Sequence, residues 1–146
     1  MRFVRLLAAI SVIIVSSTPR VAASQAGAEQ LKKSFRVAHD RRDADAIERL
    51  FFWGSSDSAT RNSTDRAIRA DFGMSIKSIA IEPLAQHEML SYTLHGASYR
   101  PSLPPIGHLK VTFQPPASGL VTSQSTSYLV GVRNGVYLLV TAVPER

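Results

Sequence analysis

The hydrophobic period of the sequence changes once, near Gly73, and this change restricts the fold more than any other feature. Before Gly73, apolar residues recur at steps of three and four, the spacing of one helix face. After it come short runs rich in β-branched and aromatic residues: SIKSIAIE, MLSYTLH, HLKVTF, STSYLVGVR and VYLLVTAV. Helices followed by strands predict an α+β domain, with N-terminal helices packed on a curved antiparallel sheet.

The last two runs are joined by Asn134-Gly135, a dipeptide that tolerates the positive φ angles of a type I′ hairpin turn. A two-residue loop fixes the register of the strands that it joins. The predicted cross-strand pairs are Val132–Tyr137, Val130–Leu139 and Tyr128–Thr141 on one face, with Gly131–Leu138 and Leu129–Val140 on the other.

Both faces of this hairpin are apolar, and three short helices can cover only one of them. An uncovered apolar face usually marks an association surface. We therefore expect a homodimer through the sheet. The alternative is that the proline-rich segment from Ala97 to Ile106, which we interpret as a stiff extended loop, folds over that face.

Three helices are predicted before Gly73. The first runs from about Gln25 to His39 and carries a narrow apolar stripe: Ala28, Leu31, Phe35 and Ala38. The second begins at an Asp43 N-cap and ends at Gly54. The third, from about Ala59 to Phe72, is capped by Asp57 or Ser58 and is mostly solvated.

Three adjacent aromatic residues lie near the end of the second predicted helix. Helical geometry places Phe51 and Trp53 beside Leu50 on the core face. Phe52 falls on the polar face and needs a separate cover. We interpret the first two as core residues, and Phe52 as a pointer to a further surface at or near the dimer contact.

The first 23 residues are typical of a signal peptide, because Arg2 and Arg5 precede an apolar run of Leu6 to Val15. That run is shorter than the roughly 20 residues that span a bilayer. Cleavage after Ala23 would release one exported domain, residues 24–146, to the periplasm or medium without a stable membrane anchor. An uncleaved anchor is the alternative.

Composition excludes several partners and chemistries. Loss of the signal-peptide arginines lowers the net charge from +6 to about +3. No basic stripe interleaved with aromatic residues is present, so nucleic acid is not an expected partner. The chain has no cysteine, and no histidine pair has a metal-ligand spacing with an acidic neighbour. We predict no metal and no cofactor.

The segments DADAIERLF, LPPIGHLKVTF and STSYLVGVRNGVYLLVTA carry a resemblance to a known superfamily. Residues 24–146 resemble the nuclear transport factor 2-like superfamily, a cone-shaped α+β fold shared with ketosteroid isomerase and scytalone dehydratase. The likeness is greatest to small exported bacterial members of unassigned function. The sequence departs from the usual order in one respect, because no strand is predicted between the second and third helices.

The resemblance implies a pocket between helices and sheet, into which enzymatic members place Asp, Tyr or His. No aspartate follows Asp71, so an aspartate base on a strand has no candidate here. His95 is the best candidate base, because strand alternation places it near a strand end. Tyr92 and Tyr99 are the candidate groups that would polarise a carbonyl. His87 and His108 are weaker candidates.

Two functions follow from this pattern. The preferred one is a non-catalytic exported module that binds a small apolar ligand or a protein partner, with Trp53, Tyr128 and Tyr137 as candidate ligand-binding residues. The alternative is a small lyase or isomerase that uses a pocket histidine as its base. A histidine inside the cavity, within hydrogen-bond reach of a second polar group, would favour the enzyme.

Overall fold

The computed structural model describes residues 19–94, 96–114 and 124–145. Most of the predicted signal peptide, residues 1–18, and the candidate base His95 lie outside the described residues. The elements in chain order are α1 (Pro19–Asp40), α2 (Ala44–Glu48), β1 (Phe51–Phe52), α3 (Ser58–Asp71), β2 (Ile76–Pro83), β3 (Tyr92–Leu94), β4 (Ala97–Pro101), β5 (Pro105–Phe113), β6 (Gln124–Arg133), β7 (Val136–Val140) and β8 (Ala142–Pro144). The predicted α+β class is confirmed, with helices over a curved, unclosed sheet.

The described strands form two sheets. Five strands pair in the order β1-β7-β6-β5-β2, and three pair in the order β3-β4-β8. β1 runs parallel to β7, whereas the other pairs are antiparallel. Thr141 separates β7 from β8, so the chain passes from one sheet to the other at this residue.

The core lies between α1 and the five-stranded sheet. The predicted stripe of α1 is confirmed, because Leu31, Phe35 and Ala38 are buried. Alternate residues of β5 face them, and Phe113 is among the largest fully buried side chains. Each such side chain stabilises the fold by roughly 1.5–3 kcal/mol relative to an exposed position. Apolar packing of this kind replaces the disulfides that the chain lacks.

The helix starts follow local rules. α1 begins at Pro19, six residues before the predicted start at Gln25, because the first turn of a helix tolerates proline. The side chain of Asp43 accepts a hydrogen bond from the Ala46 amide at 2.9 Å and caps α2. Asp57 caps α3 in the same way, through the Thr60 amide at 2.7 Å.

The second helix is shorter than predicted, and the prediction that it runs to Gly54 is wrong. α2 ends at Glu48, and Phe51–Phe52 form a strand paired with Leu139 and Val140 of β7. The predicted absence of a strand between the second and third helices is therefore also wrong. Pairing with a strand that lies almost ninety residues later in the chain outweighs the local helical pattern.

Strand alternation, rather than helix phase, separates the neighbouring aromatics. Phe51 is 7% exposed and belongs to the core, and Trp53 packs against that core while partly buried. Phe52 points away from Phe51, and the guanidinium of Arg133 lies 4.5 Å from its ring centroid. Arg133 therefore supplies part of the separate cover that Phe52 needs.

The predicted hairpin is confirmed at its turn. Asn134 and Gly135 have φ angles of 51° and 78°, as a type I′ turn requires. The paired residues are Arg133–Val136, Val132–Tyr137, Gly131–Leu138 and Val130–Leu139. The pairs predicted beyond these do not appear in the described register, because β7 stops at Val140 and the chain turns towards the second sheet at Thr141.

The segment from Ala97 to Ile106 is not a loop throughout, contrary to the prediction. Its first half is β4, which pairs with both β3 and β8. The prolines occupy strand ends, where a missing amide hydrogen is tolerated: Pro101 closes β4 and Pro105 opens β5. The residues between them lie against the hairpin, and a Cβ added to Gly131 would be 3.1 Å from Leu103 Cβ. Part of the second hairpin face is therefore covered within one chain.

Candidate ligand-binding cavity

A cavity of about 620 Å³ lies where the two sheets separate. β6 extends to Gln124 along β5, but its pairing with β7 ends at Val130. On the other side the chain turns away at Thr141. α3 and the β3–β4 hairpin close the remaining sides of the opening. The volume is within the range of roughly 300–1,000 Å³ that is usual for small-molecule sites.

Four aromatic rings line this cavity in two pairs. Phe51 and Tyr128 meet edge to face, with their ring centroids 5.7 Å apart. Tyr92 and Tyr99 stack at 5.4 Å with an angle of 11° between their planes. Tyr92 is 51% exposed, so this stacked pair borders on solvent. The two pairs provide flat, polarisable surfaces for a ligand.

The α3 side of the cavity consists of small residues, which leave the space open. Ala59 and Ala67 alternate there with hydroxyl side chains. Ser63 Oγ and Thr64 Oγ1 both donate to the Thr60 carbonyl oxygen, at 3.0 and 2.9 Å. Because their protons are used within the helix, these hydroxyls offer mainly lone pairs to a ligand.

Asp57 connects the start of α3 with the stacked tyrosines. The Tyr99 hydroxyl donates to Asp57 Oδ2 at 3.3 Å, while Asp57 Oδ1 accepts the Thr60 amide. The hydrogen bond from Thr60 holds the pKa of Asp57 below its usual value. The Asp57 charge, followed by burial, raises the pKa of Tyr99. The pair is thus a fixed carboxylate and a protonated phenol at neutral pH.

Tyr128 is the most buried of the three tyrosines that line the cavity, and it packs partly buried against the core. Burial raises its pKa strongly, and the charge of Asp71 raises it further. Asp71 is itself buried, and its Oδ2 accepts a hydrogen bond from Thr126 at 2.8 Å. Its backbone carbonyl lies 3.1 Å from Nε2 of the buried His39. The hydrogen bond from Thr126 therefore satisfies this buried carboxylate beside β6, the strand that carries Tyr128.

The candidate site residues do not form one site. Tyr92, Tyr99 and Tyr128 line the same cavity. Trp53 lies in a separate groove beside α2, where its indole donates to the Glu48 carbonyl at 3.1 Å. Tyr137 lies in a third groove, between α1 and the hairpin. Among the described residues, no group of three or more histidine or acidic side chains is arranged to hold a metal ion.

A second polar cluster involves His108, which the sequence ranked below His95. The Nε2 of His108 lies 2.7 Å from Glu88 Oε1, and Nδ1 lies 3.3 Å from Ser127 Oγ. The hydrogen bond with His108 lowers the pKa of Glu88. Glu88 also accepts the Ala85 amide at 3.1 Å, which fixes its carboxylate. Both ring nitrogens of His108 are therefore occupied within the protein.

The sequence could not have found these clusters from spacing alone. Tyr99 and Asp57 are 42 residues apart, and His108 and Glu88 are 20 apart, in different elements. The one available signal was the N-cap role of Asp57, which the sequence does predict. A carboxylate at an N-cap is fixed at the start of its helix, where a side chain from another element can reach it.

Comparisons with protein-family models, with curated proteins and with solved structures found no match to this chain. No helix within the described ranges has both the length and the hydropathy that crossing a membrane would require. The assignment of function therefore depends on the geometry of the cavity.

Proposed function

We propose that the protein is an exported, non-catalytic module that binds a small, largely apolar ligand in the cavity between α3 and the separating strands. The observation that carries this proposal is the pair of aromatic walls around about 620 Å³ of open space. Apolar pockets with a few fixed polar groups are the usual form of small-molecule sites. The alternative partner is a second protein, which would use the exposed apolar residues near the hairpin turn instead of the cavity.

The described histidines support binding over the lyase or isomerase alternative. His39 is buried in the core, stacked on Phe35 and in tilted contact with Phe113. His108 is held at both nitrogens and is not among the residues that line the cavity. His87 is exposed in the segment between β2 and β3. Since His95 lies outside the described residues, the enzyme proposal has no described base, although Tyr92 and Tyr99 do line the cavity.

A filled-cavity variant tests the binding proposal. Ala67→Leu places a larger side chain against the cavity, whereas Ala70→Leu adds the same group one turn later on the same helix, at an exposed position that does not line the cavity. Calorimetric titration with a small aromatic probe, tert-butylbenzene, should show binding to the unaltered protein and to Ala70→Leu. Loss of binding is expected only in Ala67→Leu. Equal binding by all three proteins would place the ligand elsewhere.

Export is part of the same proposal. Cleavage after Ala23 would remove the first five residues of α1 and leave its buried stripe, from Leu31 onward, intact. The protein recovered from an exporting host should therefore begin at Ser24 on N-terminal sequencing. An intact Met1 in the membrane fraction would favour the uncleaved anchor.

The homodimer also remains a proposal. Val136, on the second face of the hairpin, is 56% exposed and leaves an apolar surface near the turn. A stable dimer needs about 800 Å² per partner, so the contact would have to extend well beyond this residue. Leu103 and Pro104, which already lie against Gly131, support the monomer alternative. Light scattering coupled to gel filtration separates the two states by mass.

The likeness to the nuclear transport factor 2-like superfamily stands as a proposal as well. It is supported by helices over a curved sheet and by a cavity between them. The short strand β1 between α2 and α3 removes the departure from the usual element order.

A further inference from the structure

We propose that the cavity selects organic cations, in particular a quaternary or tertiary ammonium group carried on an apolar body. This inference rests on the proposed binding function and names the chemical class of its ligand. It follows from three features of the cavity: its aromatic rings, the absence of cationic side chains from its described lining, and the carboxylates placed beside the rings.

The rings supply the first attraction. Phe51, Tyr92, Tyr99 and Tyr128 all contribute to the lining. The face of an aromatic ring carries partial negative charge, so a cation within about 6 Å of the ring centre is attracted. Quaternary ammonium groups suit such surfaces because they are weakly hydrated and have no hydrogen-bond donors to satisfy.

The second feature is that the protein does not place its own cationic side chains against these rings within the cavity. None of the described residues that line the cavity is Lys, Arg or His. Of the three arginines of α3, Arg61 lies 4.8 Å from the Trp53 ring centroid and Arg69 binds Asp65 at 2.8 Å. Arg66 is exposed and does not line the cavity. The positive net charge of the chain is screened over about 8 Å at physiological salt, so the groups nearest the cavity dominate its field.

Carboxylates supply the third feature. Asp57 lies beside Tyr99 at one side of the cavity, fixed by two hydrogen bonds. Asp71 Oδ2 accepts a hydrogen bond from Thr126, two residues before Tyr128 on β6, and burial, followed by the charge of Asp71, raises the pKa of Tyr128. An anionic ligand would be repelled by both groups. A neutral ligand would gain from apolar contact only, whereas a cation gains from the rings and the carboxylates together.

Three probes of similar size separate these possibilities on the unaltered protein: phenyltrimethylammonium, its neutral isostere tert-butylbenzene, and benzenesulfonate. Calorimetric titration should give a dissociation constant for the cation about tenfold below that of the neutral isostere, since cation–π contacts contribute about 0.5–2 kcal/mol. Benzenesulfonate should bind more weakly than either. Added salt should weaken the cation alone.

A matched pair of variants tests the carboxylate. Asp57→Asn removes the charge beside the cavity but keeps an N-cap, because asparagine caps helices as well as aspartate does. Asp43→Asn makes the same change at the cap of α2, and Asp43 does not line this cavity. The affinity for phenyltrimethylammonium should fall severalfold in Asp57→Asn only. The affinity for tert-butylbenzene should be unchanged in both variants.

The outcomes distinguish this inference from the proposed function. If none of the three probes binds, the proposed ligand-binding function fails. If the neutral isostere or the sulfonate binds as tightly as the cation, the ligand-binding function stands and the selection of cations is overturned. An equal loss of cation affinity in Asp57→Asn and Asp43→Asn would also overturn it, because the effect would not depend on proximity to the cavity.

Discussion

Truncation of Phe51 and of Phe52 should have different consequences, although the two residues are adjacent. Phe51 is 7% exposed, and its ring contacts Trp53 and Tyr128 at centroid distances of 5.3 and 5.7 Å. Phe52 is half-buried on the other side of β1, with Arg133 over its ring. We expect Phe51→Ala to destabilise the protein far more than Phe52→Ala does.

The expected losses in the free energy of unfolding follow from how deeply each side chain is buried. Replacing a fully buried phenylalanine by alanine costs about 3–5 kcal/mol. Phe51 borders the cavity, where part of its ring already lacks neighbours, so we expect a loss of about 3 kcal/mol. Phe52→Ala gives up partial burial and an exposed cation–π contact worth about 0.5–1 kcal/mol, for a total of about 1–2 kcal/mol.

Urea titration followed by circular dichroism measures both losses without depending on the single tryptophan next to these residues. The difference should be near 1–2 kcal/mol, which corresponds to roughly 4–8 °C in the thermal midpoint of a domain of this size. Equal losses for the two variants would contradict the strand alternation at β1. A larger loss for Phe52→Ala would mean that the two side chains exchange faces.

Two further predictions concern a close backbone contact and a carboxylate. A Cβ on Gly107 would lie 2.5 Å from the Glu82 carbonyl oxygen, so Gly107→Ala should lower the free energy of unfolding by about 1–3 kcal/mol in urea titration. Gly73→Ala, with nothing within 4 Å, should change it by less than about 0.5 kcal/mol. Burial, followed by the charge of Asp65, raises the pKa of Glu48 above 4.5. A carboxyl group whose pKa is raised by folding contributes stability at pH values below its pKa in the unfolded state. That contribution is lost as the pH rises through its pKa in the folded state. Glu48→Gln should thus be more stable than the unaltered protein at pH 7, with the advantage vanishing near pH 4.

Local signals account for the parts of the fold that the sequence predicted. The turn at Asn134-Gly135 and the caps at Asp43 and Asp57 depend on residues within four positions of one another. Such features are readable because their physics is confined to a few neighbouring dihedral angles and hydrogen bonds. The apolar stripe of α1 could likewise be predicted from the three- and four-residue spacing of its apolar residues.

The errors arose where distant pairing decided the structure. Phe51–Phe52 continues the helical pattern that begins at Asp43, and only its partner in β7 makes it a strand. β4 contains a proline at its end, yet it pairs on both sides because β8 reaches it after the turn at Thr141. The cavity is itself a product of that turn, so neither its position nor the meeting of Tyr99 with Asp57 could be predicted from spacing.

Thr141 lies at the point where the sheets separate and also lines the cavity, so we expect it to couple the stability of the fold to the shape of the cavity. Its hydroxyl donates to the Phe52 carbonyl at 3.0 Å and lies 2.6 Å from Ser56 Oγ, so it ties the end of β1 to the start of β8. β1 also carries Phe51, one of the aromatic walls.

Thr141→Val keeps the shape of the side chain and removes the hydroxyl. The loss should be about 1–2 kcal/mol, because the Phe52 carbonyl still accepts Ser102 Oγ at 2.8 Å. Ser56→Ala breaks the same network from the opposite side. The double variant should lose less than the sum of the two single losses, by 0.5 kcal/mol or more, because each change removes the same contact.

Ligand affinity should follow the same non-additive pattern, since both changes loosen the position of β1 and with it the ring of Phe51. Urea titration of the single and double variants, with calorimetric titration of phenyltrimethylammonium on each, measures both quantities. Strictly additive losses of stability would show that the hydroxyls act independently. Unchanged affinity in all variants would show that the junction at Thr141 stabilises the fold without shaping the cavity.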